Sequence, residues 1–101
     1  MAAVRKYRPK ASQITVDYDR DVDVLYVAIG KPRPAEGEDR PGGIVYRYAV
    51  EDDTPCGLTI VGFRRNEWHT KPGELAKLIA DHLGADVTQV EPVIREATAI
   101  G

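Results

Sequence analysis

The residues of this chain whose types and spacing most suggest chemistry are four aspartates at alternate positions: Asp17, Asp19, Asp21 and Asp23. Hard cations such as Ca²⁺ bind to several carboxylate oxygens. The spacing does not fit a helix-loop-helix calcium loop, because a loop that opens at Asp17 places Val22 where glycine is needed and Ala28 where glutamate is needed. We therefore predict no metal site, and we interpret Asp19 and Asp23 as turn residues whose side chains hydrogen-bond to backbone groups.

A second candidate group lies downstream and consists of Arg64, Arg65, Trp68 and His69. Guanidinium groups and an indole ring at one end of a sheet can hold a phosphate or stack on a nucleobase. The alternative is a cationic junction between a strand and a helix, in which the tryptophan anchors the helix to the core. We treat the four residues as a candidate interaction surface.

Catalytic sets are not apparent in the sequence. Ser12 is the only serine, and Cys56 adjoins Pro55 with no basic neighbour to activate its thiol. His82 falls on the apolar stripe of a predicted helix, which is typical of a histidine in or beside the core. No phosphate-binding glycine loop or dinucleotide fingerprint is present. We predict no catalytic residue and no cofactor, and the sequence favours a non-enzymatic protein.

Length, charge and cysteine content narrow the class of protein. The 101 residues are 43% hydrophobic, which is enough for one domain with one core. A formal net charge of -2 gives no overall field that would attract nucleic acid or an anionic membrane. Cys56 is the only cysteine, which excludes an intrachain disulfide. With no long apolar run and no signal peptide, we expect a soluble, cytoplasmic protein that does not bind membranes.

Alternation of apolar and polar residues predicts the strands that would position these side chains. Ile14 to Tyr18 and Ile44 to Val50 both alternate, so each has one buried and one wet face. Val24 to Ile29 is apolar throughout, which predicts a central strand that needs cover on both faces. Leu58 to Phe63 follows a turn and forms the fourth strand. Strands joined in sequence predict an antiparallel meander.

The segment from Gly30 to Gly43 separates the second and third predicted strands. It holds three prolines and four glycines and is too long for a tight hairpin. We expect a mobile connection. Two alternatives remain open: a lid or binding loop, and a short edge strand near Ala35 to Asp39.

After Trp68 the spacing of the apolar residues changes to that of a helix. Thr70 is a predicted helix cap, Pro72 suits the first turn, and Gly84 is placed to end a helix that runs from Thr70 to Leu83 and covers one face of the sheet. The segment 86–97 predicts a second, short and irregular helix, because Pro92 would interrupt its hydrogen bonding.

The offsets of Ala80, Gly84, Val90 and Val93 are similar to those of a helix-turn-helix DNA-binding motif over residues 75–94. Pro92 would lie within the recognition helix of such a motif. Residues 70–101 also carry three basic and five acidic side chains, whereas a surface that binds a DNA groove needs excess positive charge. We therefore favour a packed helical hairpin.

Part of the chain resembles a known family. The residues Tyr18-Asp19, Asp23 and Leu25-Tyr26-Val27 resemble the YDxxxDxLYI hairpin of a small bacterial family catalogued as domain of unknown function 2283. Gly43 to Tyr48 and Ile60 to Phe63 are similar to the strands that follow in that family. The resemblance covers about residues 14–63 and implies a small antiparallel sheet. It implies no activity, substrate or catalytic residue.

These features predict an α+β fold: an antiparallel meander of about four strands, a C-terminal helix packed on one face, and a short second helix. We expect a single domain over 1–101, with a mobile basic arm at 1–12, the sheet at 14–63 and the helical part at 70–97. The arm holds four basic and no acidic side chains, and an alternative role for it is contact with nucleic acid.

Three functional hypotheses follow from this fold. The leading one is a non-enzymatic interaction or structural module that forms a homo-oligomer, because sheet edges and a doubly apolar strand need cover. A further protein partner is compatible with it. The second is a nucleic-acid-binding regulator or antitoxin-like component. The third is a small-ligand binder or enzyme with a pocket near the 30–43 loop.

Overall fold

The computed structural model describes residues 13–99, which form a five-stranded antiparallel sheet and two helices. The strands are β1 (Ile14–Asp19), β2 (Val24–Ile29), β3 (Ala35–Arg40), β4 (Ile44–Ala49) and β5 (Pro55–Val61), and the helices are α1 (Pro72–Leu83) and α2 (Val87–Thr98). The α+β class and the antiparallel sheet are confirmed. The basic arm predicted for residues 1–12 lies outside the described residues.

The sheet has five strands where the sequence predicts about four, and its order, β1-β2-β5-β4-β3, differs from the predicted meander in how the strands connect. The last strand, β5, returns to the middle of the sheet and pairs with both β2 and β4. Its residues Cys56 to Ile60 are all buried, which suits a central strand. The residues of β3 are almost all exposed and mainly charged, and polar strands of this kind belong at an edge.

The segment predicted as a mobile connection therefore contains an edge strand. Ala35 to Arg40 pairs in full register with β4, and a short 3₁₀ turn at Pro41–Gly43 joins the two strands. The edge-strand alternative is the correct one. Apolar periodicity does not identify this strand, because backbone pairing with β4 rather than side-chain burial holds it.

Both helices contribute to one hydrophobic core against a single face of the sheet. Leu25, Val27, Leu58 and Ile60 supply the centre of that face, and each is at most 3% exposed. The helices bury the apolar positions Leu75, Ala76, Ile79, Ala80, Leu83, Val90 and Ile94. Within residues 13–99, neither helix is long and apolar enough to cross a membrane.

Two details of the helices differ from the sequence prediction. Thr70 is not the helix cap: α1 begins at Pro72, and the Thr70 hydroxyl donates a hydrogen bond to the Glu67 carbonyl in a preceding 3₁₀ turn. The second helix is neither short nor irregular, since α2 has twelve residues, as α1 does. Asp86 caps it by accepting from the Thr88 amide, and Pro92 lies on its exposed side, where the lost hydrogen bond is tolerated.

The turn between β1 and β2 is joined to the turn after β5 by one residue, Asp23. Its carboxylate accepts hydrogen bonds from the Arg64 amide at 2.8 Å, the Arg65 amide at 3.0 Å and the Tyr18 hydroxyl at 2.7 Å. Its own carbonyl accepts from the amides of Gly62 and Phe63. Asp23 has a φ of 58°, a left-handed conformation that aspartate and asparagine tolerate better than most residues.

These contacts shift the pKa of the Asp23 carboxyl group and the pKa of the Tyr18 hydroxyl. Partial desolvation acts to raise the pKa of Asp23, but the hydrogen bonds from Arg64, Tyr18 and Arg65 outweigh it and lower the pKa below its usual value. Burial, followed by the hydrogen bond to Asp23 and the negative charge of Asp23, raises the pKa of the Tyr18 hydroxyl. The arrangement therefore depends on an ionised Asp23 and a protonated Tyr18.

Replacing Asp23 tests this arrangement. Asp23→Asn keeps a residue that accepts the left-handed backbone but replaces one acceptor oxygen with a donor, and it removes the charge. We expect the free energy of unfolding at pH 7, measured by urea titration, to fall by about 1–2 kcal/mol. This is the lower part of the range for hydrogen bonds to charged groups, because the site is partly exposed.

The control is Asp21→Asn, an exposed residue of the same turn, which should change the free energy of unfolding by less than about 0.5 kcal/mol. Because the folded-state pKa of Asp23 is lowered, its contribution is present above the unfolded pKa of about 3.9 and is lost as the pH falls through the folded value. Equal losses for the two variants would contradict the structural role of Asp23.

Candidate functional site

The four alternating aspartates are separated by the structure. Asp17 and Asp19 are exposed on β1, and the Asp19 carboxylate accepts a hydrogen bond from the Asp21 amide at 3.0 Å. Asp23 is held by the contacts described above. Among residues 13–99, no three histidine, cysteine, aspartate or glutamate side chains come together in a way that could hold a metal ion.

The candidate interaction surface formed by Arg64, Arg65, Trp68 and His69 lies between β5 and α1. The two arginine amides donate to Asp23, whereas their side chains are exposed. Trp68 is half-buried, and its Nε1–H donates to the Gly42 carbonyl at 2.8 Å. The structure thus gives Trp68 an anchoring contact. The binding role assigned to these residues from the sequence stays a prediction.

His82 packs at the edge of the core against two tyrosines. Its ring stacks on Tyr46 with 4.5 Å between ring centroids and meets Tyr48 edge-on at 5.2 Å. Its Nε2 lies 3.3 Å from the Arg47 carbonyl oxygen. Partial burial lowers the pKa of His82 below its usual value, although hydrogen bonds to backbone carbonyls and the nearby Glu38 carboxylate oppose the change.

Two clefts border the 30–43 segment, where a pocket was one hypothesis. A cleft of about 420 Å³ is lined in part by Lys31, Arg33 and Leu83. Its Arg33 is already engaged, because it donates to Thr54 and lies 3.5 Å from the Asp52 carboxylate. A second cleft of about 380 Å³ carries acidic side chains along β3. Neither lining pairs a nucleophile with a base in hydrogen-bond contact among the described residues.

The sheet face opposite the helices is the most unusual surface of residues 13–99, and we call it the open face. Strand pairing places on it the outward residues of all five strands: Thr15 and Asp17 of β1, Val24, Tyr26 and Ala28 of β2, Gly57, Thr59 and Val61 of β5, Val45 and Arg47 of β4, and Gly37 and Asp39 of β3. Tyr26 is 47% exposed and Val61 is 43% exposed. No helix or strand of residues 13–99 covers this face.

Two features of the open face were not evident from the sequence. The Nε–H of Arg47 donates to the Thr59 hydroxyl at 2.8 Å, which holds the guanidinium group flat across β5. Gly57 lies at a close backbone approach, because a Cβ there would be 2.6 Å from the Val27 carbonyl oxygen. The available signal for the face itself was the unbroken apolar run of β2.

The His82 contacts predict a pH dependence of stability. Because the folded-state pKa is lowered, His82 contributes stability that is present above the unfolded pKa of about 6.5 and is lost as the pH falls through the folded value. We expect the free energy of unfolding to fall between pH 8 and pH 5, and the fall to be smaller in His82→Gln, as measured by urea titration at each pH. Equal slopes in wild type and His82→Gln would contradict this role.

Comparisons with known proteins agree with the extent of the sheet. Residues 15–64 match the family model described as Protein of unknown function (DUF2283). No curated protein and no solved structure matches the chain. The matched segment contains nearly the whole sheet and the Tyr18, Asp23 and Arg64 contacts, whereas α1 and α2 lie beyond it. Over residues 15–64, 50 of its 101 residues, the chain is similar to the protein family of unknown function DUF2283.

Proposed function

We propose that this protein is a non-enzymatic interaction module of the cytoplasm that forms a homo-oligomer through the open face. The observation that supports the proposal is that Tyr26 and Val61, both exposed apolar residues, adjoin Val24 on a sheet face that no described helix or strand covers. Single exposed apolar residues are ordinary on protein surfaces, whereas contiguous ones mark interaction sites.

The side-chain pattern of the open face departs from that of a sheet that faces water. Antiparallel sheets with one solvated face place polar residues on that face. The edge strand β1 follows this rule, since Thr15 and Asp17 point outward. In β2 the outward residues are Val24, Tyr26 and Ala28, so the inner strand has apolar residues on both sides. This composition supports cover by another protein surface.

The edge strand β3 is a less favourable site of association than the open face. The edge strand β3 exposes Glu36, Glu38, Asp39 and Arg40, and charged residues oppose edge-to-edge pairing. On the face, by contrast, Tyr26 offers a large aromatic side chain of the type that dominates interface energies. These properties favour association through the face over extension of the sheet.

Sedimentation equilibrium of the wild type and of Tyr26→Asp tests the proposal. We expect the wild type to be oligomeric at tens of micromolar, and the variant to associate at least about tenfold more weakly, because a buried, unpaired carboxylate opposes association. The matched control is Val50→Asp, which introduces the same charge at a residue that is 60% exposed in the turn between β4 and β5.

The control should associate as the wild type does. Circular dichroism should show that all three proteins keep the same secondary structure. A wild-type protein that stays monomeric at about 100 µM would overturn the proposal, because even weak functional association is populated at that concentration.

A further inference from the structure

We infer that the cleft between the β2–β3 connection and the end of α1 binds a small organic anion, namely a carboxylate with a short hydrocarbon body. This cleft, which we call the basic cleft, holds about 420 Å³, a volume within the range of small-molecule sites. Its lining combines the apolar side chains Ile29, Pro55 and Leu83 with the cationic side chains Lys31 and Arg33. An apolar wall beside a few placed polar groups is the usual composition of a ligand site.

The basic cleft lies apart from the open face. Ile29 points to the helix side of the sheet, as Leu25 and Val27 do, and it packs against the hydrophobic core. Leu83 is the last residue of α1 and is buried. The cleft therefore opens at one end of the sheet beside the helix, and binding there is separate from association through the open face.

The segment Gly30 to Pro34 lines one side of the basic cleft and is fixed at both of its ends. The Gly30 amide donates to the Gln13 carbonyl at 2.8 Å. The Pro34 carbonyl accepts from the Val50 amide at 3.0 Å. The segment is therefore in place before a ligand binds, and such pre-organisation reduces the entropy cost of forming a complex.

The two cations of this segment are positioned differently. Lys31 and Arg33 each precede a proline, which restricts their backbone to extended conformations. The Arg33 guanidinium donates to the Thr54 hydroxyl at 2.9 Å and lies 3.5 Å from the Asp52 carboxylate, which fixes its position and offsets its charge. Lys31 has no hydrogen-bond or ion-pair partner among residues 13–99. The Lys31 ammonium is therefore the uncompensated charge of the cleft.

This balance of charge favours a carboxylate over a phosphate. One uncompensated cation matches a single negative charge, whereas a phosphate monoester carries about two. Arg33 keeps N–H donors that Thr54 and Asp52 do not use, and these can bond to a carboxylate oxygen. The apolar wall adds affinity for a hydrocarbon body, because each methylene that it buries strengthens binding by roughly fourfold.

Titration with sodium hexanoate, followed in ¹H–¹⁵N correlation spectra, tests the inference. We expect saturable shifts of the amides of Lys31, Arg33, Thr54 and Leu83, with a Kd on the order of 1 mM because the ligand is small. Acetate, which lacks the hydrocarbon body, should bind at least about tenfold more weakly. Hexylammonium, which has the same body and the opposite charge, should not shift these amides.

A pair of variants tests the role of the charge. Lys31→Gln removes the uncompensated cation and should weaken hexanoate binding by at least about fivefold. The matched control is Lys77→Gln, which changes an exposed lysine of α1 that is not part of the cleft lining and should bind as the wild type does. Both side chains are exposed, so each variant should keep the wild-type spectrum away from the substitution.

Saturable shifts at the basic cleft that weaken in Lys31→Gln and not in Lys77→Gln support the inference. It is overturned by shifts that do not saturate up to about 20 mM hexanoate, far above the expected Kd, or by equal binding of the wild type and Lys31→Gln. Equal binding of acetate or hexylammonium, or larger shifts at Tyr26 and Val61 than at the cleft, overturns it as well. The oligomeric state does not enter these outcomes, so this inference and the proposed function can fail separately.

Discussion

The structure depends on the carboxylate of Asp23 more than on any other single polar group of residues 13–99. Two backbone amides after β5 and the Tyr18 hydroxyl meet at this one side chain, and the carbonyl of the same residue takes two further amides. A hairpin turn and a turn 41 residues later in the chain are thereby joined. The exit from β5 is fixed, and with it the start of α1, so the helices reach the correct face of the sheet.

This arrangement gives the hairpin of Tyr18 and Asp23 a structural role. The Asp23 carboxylate already accepts three hydrogen bonds, from the Arg64 and Arg65 amides and the Tyr18 hydroxyl, which leaves it little capacity for a ligand. The tyrosine beside it is equally committed, since its ring packs edge-on against Phe63 and its hydroxyl donates to Asp23. The polar groups of Tyr18 and Asp23 therefore stabilise the fold.

The sequence predicts the strands and helices in which buried apolar residues recur at regular spacing. The alternation at Ile14 to Tyr18 and the helical stripe that ends at Gly84 identify β1 and α1, because burial of one face governs both. The strand β3 is not identified in this way, since its polar residues are held by backbone pairing to β4. Asp23 is recognisable as a turn residue, but its partners at Arg64 and Arg65 depend on β5 returning to the centre of the sheet, which local pattern does not encode. The apolar run of β2 indicates that both of its sides need cover, but the residues of the other strands that share the open face follow only from the pairing of β2 with β5.

The boundary of the family match has a consequence for how this chain is assembled. Arg64 is the last matched residue, and its amide donates to the Asp23 carboxylate. The matched segment therefore ends at the turn that Asp23 holds against the β1–β2 hairpin. Without the two helices, that segment would leave Leu25, Val27, Leu58 and Ile60 bare on one side and Tyr26 and Val61 bare on the other. The matched segment is therefore a single sheet with apolar residues on both faces. In this chain the helices that follow the turn at Arg64 cover one face of the sheet. The turn at Arg64 is therefore a position after which a different covering segment can follow without altering the strands.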